Sequence, residues 1–276
     1  MNAFRNLILP ITAGLLALAP FAAGQVTLTV NYFTIAENDR DMQNVINGAV
    51  SNEVQNTLGP HGLPILNTAQ YGCVSNCVAD FPPYPLPRDL TSSGEITWWS
   101  PALNNGGAGG TSDVVQTSTA QVTLPFSNRF FYPPNGTGGS DLNGFQSATF
   151  SGTLNVPASE PVNFSIGADD VAFVYVDGTL ACNLGGARGY VLGNCTTNTL
   201  SAGSHTLQIF YSDLFPTNAG LTFSVTTSGV TGTPGITPPT APVGTPAPPT
   251  ILLAMVALAC LGLFLGYRRF APQRNA

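Results

Sequence analysis

The chain has 276 residues, a net charge of -6, only 8% charged residues and no lysine, which leaves no basic patch for phosphates and argues against a nucleic-acid partner. Its 30 glycines and 23 prolines, with Ser, Thr and Asn between short apolar runs, suit an all-β chain with many turns better than an α/β one. There is no Gly-x-Ser-x-Gly elbow, phosphate loop or histidine metal motif, and His61 and His205 read as turn and strand-edge residues, so the chain is expected not to be an enzyme.

Residues 1–24 carry Arg5, an apolar run from Leu7, and Ala22-Ala23-Gly24 before Gln25. This is the layout of a secretory signal peptide, and it places an extracellular domain at 25–228, roughly 205 residues and enough for one sizeable core. Residues 26–32 (VTLTVNY) alternate at period two and form the first expected strand. Over 41–58, Val45, Ile46, Val50, Val54 and Leu58 recur at near-helical spacing with Asn and Gln opposite. That pattern predicts one short amphipathic helix, ended by Gly59-Pro60.

Cys73 and Cys77 flank a three-residue loop, and Cys182 and Cys195 flank a longer Gly-rich one. In an oxidising compartment this predicts two local disulfides, the second rigidifying the loop of Gly185, Gly186 and Arg188, with Cys260 left alone. Residues 81–87 and 106–110 read as loops. Trp98 and Trp99 point to opposite faces if extended, so one is expected in the core while the other, taken as Trp99, offers a stacking platform or packs half-exposed.

Further strands are expected at 114–124, 148–156, 162–166, 171–176, 206–211 and 221–226, which predicts an antiparallel β-sandwich or jelly-roll-like barrel. Asp177-Gly178 is a hairpin turn, since both of its central positions favour positive φ. Phe173 and Tyr175 share one face of 171–176, and Val174 and Val176 the other. Between 162–166 and 171–176 stand Asp169 and Asp170. Adjacent side chains of an extended segment point to opposite faces, so this pair is a poor way to close a core strand. Two hard oxygen donors on one junction are a natural start for a calcium site; the alternative is turn chemistry, in which Asp accepts from nearby backbone amides.

Residues 229–250, rich in Pro, Thr and Gly, predict an extended spacer. Residues 251–267 are an uncharged apolar run, about 26 Å long if helical, followed by Arg268 and Arg269. This predicts a single transmembrane helix with 268–276 as a basic cytoplasmic tail. The chain is therefore expected at the cell surface, anchored in the membrane unless its tail is processed.

The segment GADDVAFVYVDGTLACNLGGARG (167–189) resembles the fibro-slime domain pattern of Gly and consecutive Asp, an aromatic strand, an Asp-Gly turn and Leu-Gly-Gly. The segment AGSHTLQIFYS (202–212) resembles that family's next strand, with weaker echoes at 32–41, 57–66 and 96–104. Fibro-slime domains are similar in turn to the protective-antigen-type β-sandwich, whose members include calcium-dependent lectin domains of adhesins. The resemblance implies a carbohydrate-facing calcium site on Asp169 and Asp170, a cis peptide between them, and a further ligand from a later loop, for which Asp213 and Asn218 are the candidates. Arg188, standing where the pattern has His, and Trp99 are the side chains expected to face a bound glycan. The chain departs from the pattern at Ala168 and Asn183, each where Asp is usual, and at Ser212-Asp213-Leu214, where an acid-Arg pair is usual. The spacer, apolar helix and arginines resemble a PEP-CTERM, exosortase-type sorting tail, with Pro246-Ala247-Pro248 in place of Pro-Glu-Pro, which implies a sorting protease as a partner.

These readings converge on a surface or matrix protein with a binding module, a calcium-dependent carbohydrate-binding adhesin in its sharpest form. The alternatives are a purely structural matrix protein with a structural calcium site, and a glycoside hydrolase drawing on Asp113, Asp141 or Glu95, which nothing in the sequence brings together.

Overall fold

The computed structural model describes residues 25–36, 39, 41–42, 51–67, 89–106, 111–128, 144–214 and 219–235. Their regular structure is all β: β1 (Thr27–Ile35), β2 (Val54–Leu58), β3 (Pro64–Leu66), β4 (Val114–Thr123), β5 (Phe126–Asn128), β6 (Phe145–Val156), β7 (Glu160–Asp169), β8 (Val171–Val176), β9 (Thr179–Leu184), β10 (Val191–Leu200), β11 (Gly203–Ser212), β12 (Gly220–Val225) and β13 (Thr231–Pro234). One sheet runs β3-β2-β9-β8-β11-β6-β1-β4, with β13 added to β6, and the other runs β10-β7-β12-β5. Every pairing between these strands is antiparallel.

The two sheets pack face to face because each contributes an alternating apolar set to one core. Val30, Phe150, Leu154, Val174, Leu207 and Ile209 come from the large sheet, and Phe164, Ile166, Leu221 and Phe223 from the small one. Burial of each such side chain contributes about 1.5–3 kcal/mol. The second face of the large sheet is buried too. Phe33, Ile35, Phe173, Tyr175 and Phe210 pack there against Trp98, Trp99, Ile96 and Met42, which the long connection between β1 and β4 lays across the sheet. Strand β8 is therefore core on both faces, and all six of its residues are buried.

The eight segments expected to be extended are extended, counting the return strand after Asp177-Gly178, and that turn has positive φ at both residues, 51° and 70°. Cys182 and Cys195 form a disulfide with Cα atoms 5.6 Å apart. It joins β9 of the large sheet to β10 of the small one, so it cross-links the two layers rather than merely closing a loop. Cys73, Cys77 and Cys260 lie outside the described residues, as do the segments expected to be a signal peptide, a transmembrane helix and a basic tail.

Two expectations are corrected. The helix expected over 41–58 does not reach its end, because Val54–Leu58 is strand β2; residues 43–50 lie outside the described set. Asn52 has φ 57°, which interrupts a right-handed helix, and the backbone of β2 is taken up from outside: Tyr175 Oη donates to the Gln55 carbonyl at 3.1 Å, and Leu58 N donates to the Gly178 carbonyl at 3.2 Å. The start of the expected spacer also belongs to the fold, since Thr231–Pro234 pairs with β6 as β13. Gly232 makes this possible: a Cβ there would sit 2.7 Å from Val26 Cγ1.

Candidate metal centre

Of the connections that cross between the sheets at one end of the molecule, three carry the expected site residues. Strands β7, β10 and β12 belong to the small sheet, and β8, β9 and β11 to the large one, so the chain changes sheet between β7 and β8, between β9 and β10, and between β11 and β12. The first crossing carries Asp169 and Asp170, the second Arg188, and the third Asp213. Register brings the first and third together, because Val171 lies opposite Ser212 in one sheet and Asp169 opposite Gly220 in the other.

As a result Asp169, Asp170 and Asp213 each place a carboxylate oxygen within 4.8 Å of the other two. Asp169 is half-buried, while Asp170 is 2% exposed and Asp213 fully buried. The Asp169-Asp170 peptide is cis, as the family resemblance implies. Asp170 is fixed from both sides: its Oδ1 accepts the Arg188 backbone N–H at 2.5 Å and its Oδ2 accepts the Leu214 N–H at 2.7 Å. One carboxylate thus ties the second and third crossings to the first. Tyr211 Oη donates to the Asp169 carbonyl at 2.7 Å, and Trp99 Nε1 donates to the Tyr211 carbonyl at 2.6 Å, so the floor of the cluster is bonded into the core.

This donor set suits a hard cation. Three carboxylates this close repel one another strongly when ionised, and a divalent ion turns that repulsion into attraction. A bound calcium would supply charge compensation to these carboxylates.

The other expected residues sort as follows. The Arg188 backbone belongs to the site. Its guanidinium is half-buried and held below its usual pKa by burial, against the opposing pull of Asp170, and its Nε has no hydrogen-bond partner among the described residues. Asn183 uses Nδ2 to reach the Val54 carbonyl at 3.4 Å, which braces β9 to β2. Asn218 lies outside the described residues. Trp99 is the clear correction: it is 4% exposed, packs edge-on against Phe173 and Phe210 with ring centroids 6.3 and 5.2 Å away, and so offers no open face to a sugar. Trp98 is buried as well.

Glu53 is the member that sequence reasoning passed over. It sits just before β2, is buried, and accepts the Gly186 N–H at 2.6 Å, which secures the turn that delivers Arg188 N to Asp170. Burial first, and the nearby Asp170 charge in addition, push its carboxyl up to about 7, although the Gly186 bond pulls it down. A lone Glu beside Asn carries no sequence signal for this; only the sheet order, which puts β2 next to β9, reveals it.

The remaining acids have other duties. Glu95 is buried and accepts the His61 and Leu63 N–H groups, at 2.8 and 3.4 Å, the Ser93 hydroxyl, and a 2.5 Å contact from His61 Nδ1. Asp113 takes the Asn104 side chain on its N–H, and Asp141 lies outside the described residues. Asp177 stays a turn residue, as expected, and faces His205.

No protein-family model and no curated protein matches the chain. Among solved structures, it is similar to the PA14 domain of MpAFP antifreeze protein, at 16% identity and TM-score 0.28 over 34% of this chain and 55% of that one, so it spans about half the length of that relative. It is similar to a PA14 sugar-binding domain from an RTX adhesin, at 14% identity and TM-score 0.34 over 76% of this chain and 96% of that one. It is also similar to a β-glucosidase from Kluyveromyces marxianus, at 13% identity and TM-score 0.32 over 41% of this chain and 14% of that one. With every one of these TM-scores below 0.5, the functional reading rests on the acidic site.

Proposed function

We propose that the described domain is a calcium-dependent carbohydrate-binding module of an exported surface protein. The observation that carries this reading is the gathering of Asp169, Asp170 and Asp213, from two sheet-crossing connections, to within 4.8 Å of one another. In this reading Asp170 and Asp213 hold calcium from below, and the half-buried Asp169 forms the open side, where vicinal hydroxyls of a sugar complete the coordination shell. Asn218 remains a candidate further ligand. The leader, spacer and apolar run of the sequence would carry the module to the outer surface, with an anchor or a sorting protease acting on the tail.

A second reading, a structural ion with no sugar ligand, is favoured by one specific feature: two of the three carboxylates are almost completely buried.

The test is thermal unfolding of the full-length chain with calcium and with excess chelator, followed by a glycan array under both conditions. A ligand bound only by the native state raises the midpoint by mass action, about 2.7 kcal/mol at a hundred times Kd. The expected result is a calcium-dependent rise, smaller in the Asp169→Asn/Asp170→Asn variant, with glycan retention lost in chelator. A rise without glycan binding selects the structural ion. Glycan retention unchanged by chelator sinks the calcium-dependent module.

A further inference from the structure

We propose that Asp39, Asp41 and Asp89 form a second divalent-cation site, separate from the one at the sheet crossings. These three carboxylates lie in the connection between β1 and β4, and each offers an oxygen within 4.8 Å of the other two. They are 3%, 6% and 1% exposed, respectively. Asp41 is oriented by two donors from distant sequence: Trp98 Nε1 and the Asp89 N–H both reach its Oδ2 at 3.1 Å. Asp39 Oδ1 accepts the Asp41 N–H at 2.7 Å.

The independent pointer to a ligand is the other oxygen of Asp39. Oδ2 is buried and meets no N–H or hydroxyl donor among the described residues, while the carboxyl lies within hydrogen-bond reach of the Asp89 side chain, itself an acid. A buried carboxylate oxygen left without a donor is costly, and buried charges are normally paired or metal-bound.

An all-oxygen, all-carboxylate set selects a hard ion of the calcium class over zinc, whose structural sites prefer Cys and His. The ion would join residues 39–41 to residue 89 across 48 positions of sequence, clamping the connection that lays Trp98, Trp99 and Met42 over the large sheet. Its role is therefore structural, and it stands whether or not the sheet-crossing site binds glycan.

The test counts ions on the full-length chain by equilibrium dialysis against calcium, and reads terbium luminescence excited through tryptophan. The Asp169→Asn/Asp170→Asn variant is expected to retain one calcium per chain and to sensitise terbium through Trp98, whose indole nitrogen contacts Asp41. Adding Asp39→Asn should remove that ion. Asp41→Asn, which keeps an acceptor oxygen for the Trp98 Nε1 and Asp89 N–H groups, should remove the same ion and its sensitised emission, which keeps the test decisive even where Asp39→Asn folds poorly. Absence of any ion from the Asp169→Asn/Asp170→Asn variant, with its melting pH-dependent but metal-independent, would overturn the proposal in favour of a shared proton. A parent that binds one ion, lost with Asp39→Asn alone, would support this site while removing the other.

Discussion

Strand β8 carries an aspartate at each end, and the two do opposite things with the same side chain. At its start, Asp170 lies in a crowd of acids and accepts the backbone N–H groups of Arg188 and Leu214. At its end, Asp177 occupies a two-residue hairpin and is matched by Thr206, which donates from N at 2.8 Å, and by His205, whose Nδ1 is 2.6 Å from Oδ2. The difference is topological. After Val176 the chain turns back into the same sheet, whereas before Val171 it has just left the other one. The hairpin end draws its partners from β11, the neighbouring strand of the same sheet. A sheet crossing gathers other crossings beside it, and acids placed on several of them are brought together whether or not any one is remarkable in sequence.

The sharpest way to break this contrast is to remove the brace at the crossing. Asp170→Ala leaves the Arg188 and Leu214 N–H groups without their acceptor in a buried setting, at about 1–3 kcal/mol for each. Asp170→Asn keeps one acceptor oxygen and should retain part of that stability. Chemical denaturation of the two variants in chelator checks this, because without a cation no part of the loss comes from metal binding. Equal stability of the alanine and asparagine variants would show that the two hydrogen bonds contribute little.

The disulfide tests the same end by a different route, since it holds β9 and β10 across the layers near the second crossing. Replacing Cys182 and Cys195 together by Ser should cost about 2–3 kcal/mol on the chain-entropy model for a separation of 13 residues. The loss should appear as a lower midpoint with the calcium response still present. A calcium response lost along with the bridge would mean that the crossing depends on the disulfide for its shape.

How far the sequence discloses this architecture depends on what each residue is paired with. Strands with a clear alternation, such as β1, β6 and β11, were legible because one or both faces enter a core. Strand β10 was not, because it is an edge strand whose Gly, Asn and Thr residues alternate between exposed and half-exposed, so no apolar period marks it. Strand β2 imitates a helix since its apolar spacing was read together with that of residues 45–50, and only its pairing with β3 and β9 settles its state. At the site, the adjacent Asp169 and Asp170 announced themselves, and Asp213 came through the family resemblance. Glu53 and the Asp39, Asp41 and Asp89 group did not, since their contacts span tens to more than a hundred residues. Trp99 failed for a related reason: its exposure depended on a second core that the alternation of β8 allowed but did not require.

The smallest effect is expected at the hairpin end, and its signature is the pH at which it appears. His205 Nδ1 faces a carboxylate and Nε2 faces the Ser201 carbonyl at 2.9 Å, so both ring nitrogens meet acceptors and the doubly protonated imidazolium is the form that satisfies both. The Asp177 bond first, then the Ser201 bond, raise the His205 pKa above its usual value against the effect of burial. Burial alone would raise Asp177, but hydrogen bonds from His205 and Thr206 hold it below the usual carboxylate range. The raised His205 contributes stability that is fully present below its unfolded pKa and is lost as pH rises through its folded value. The lowered Asp177 contributes stability present above its unfolded pKa and lost as pH falls through its folded value. The pair should therefore count most in the weakly acid window between the ordinary carboxylate and imidazole values, and fade as pH rises through the raised His205 value. Because the Asp177 side chain is 48% exposed, screening limits the effect to about 0.5–1 kcal/mol. Melting of the parent and His205→Gln across this range in chelator should show a gap that closes as pH rises, while the difference between the parent and Asp170→Ala should persist at the alkaline end. A His205→Gln gap that stayed constant with pH would show that the His205–Asp177 pair adds no protonation-dependent stability, and the division of labour between the two ends of β8 would lose its electrostatic half.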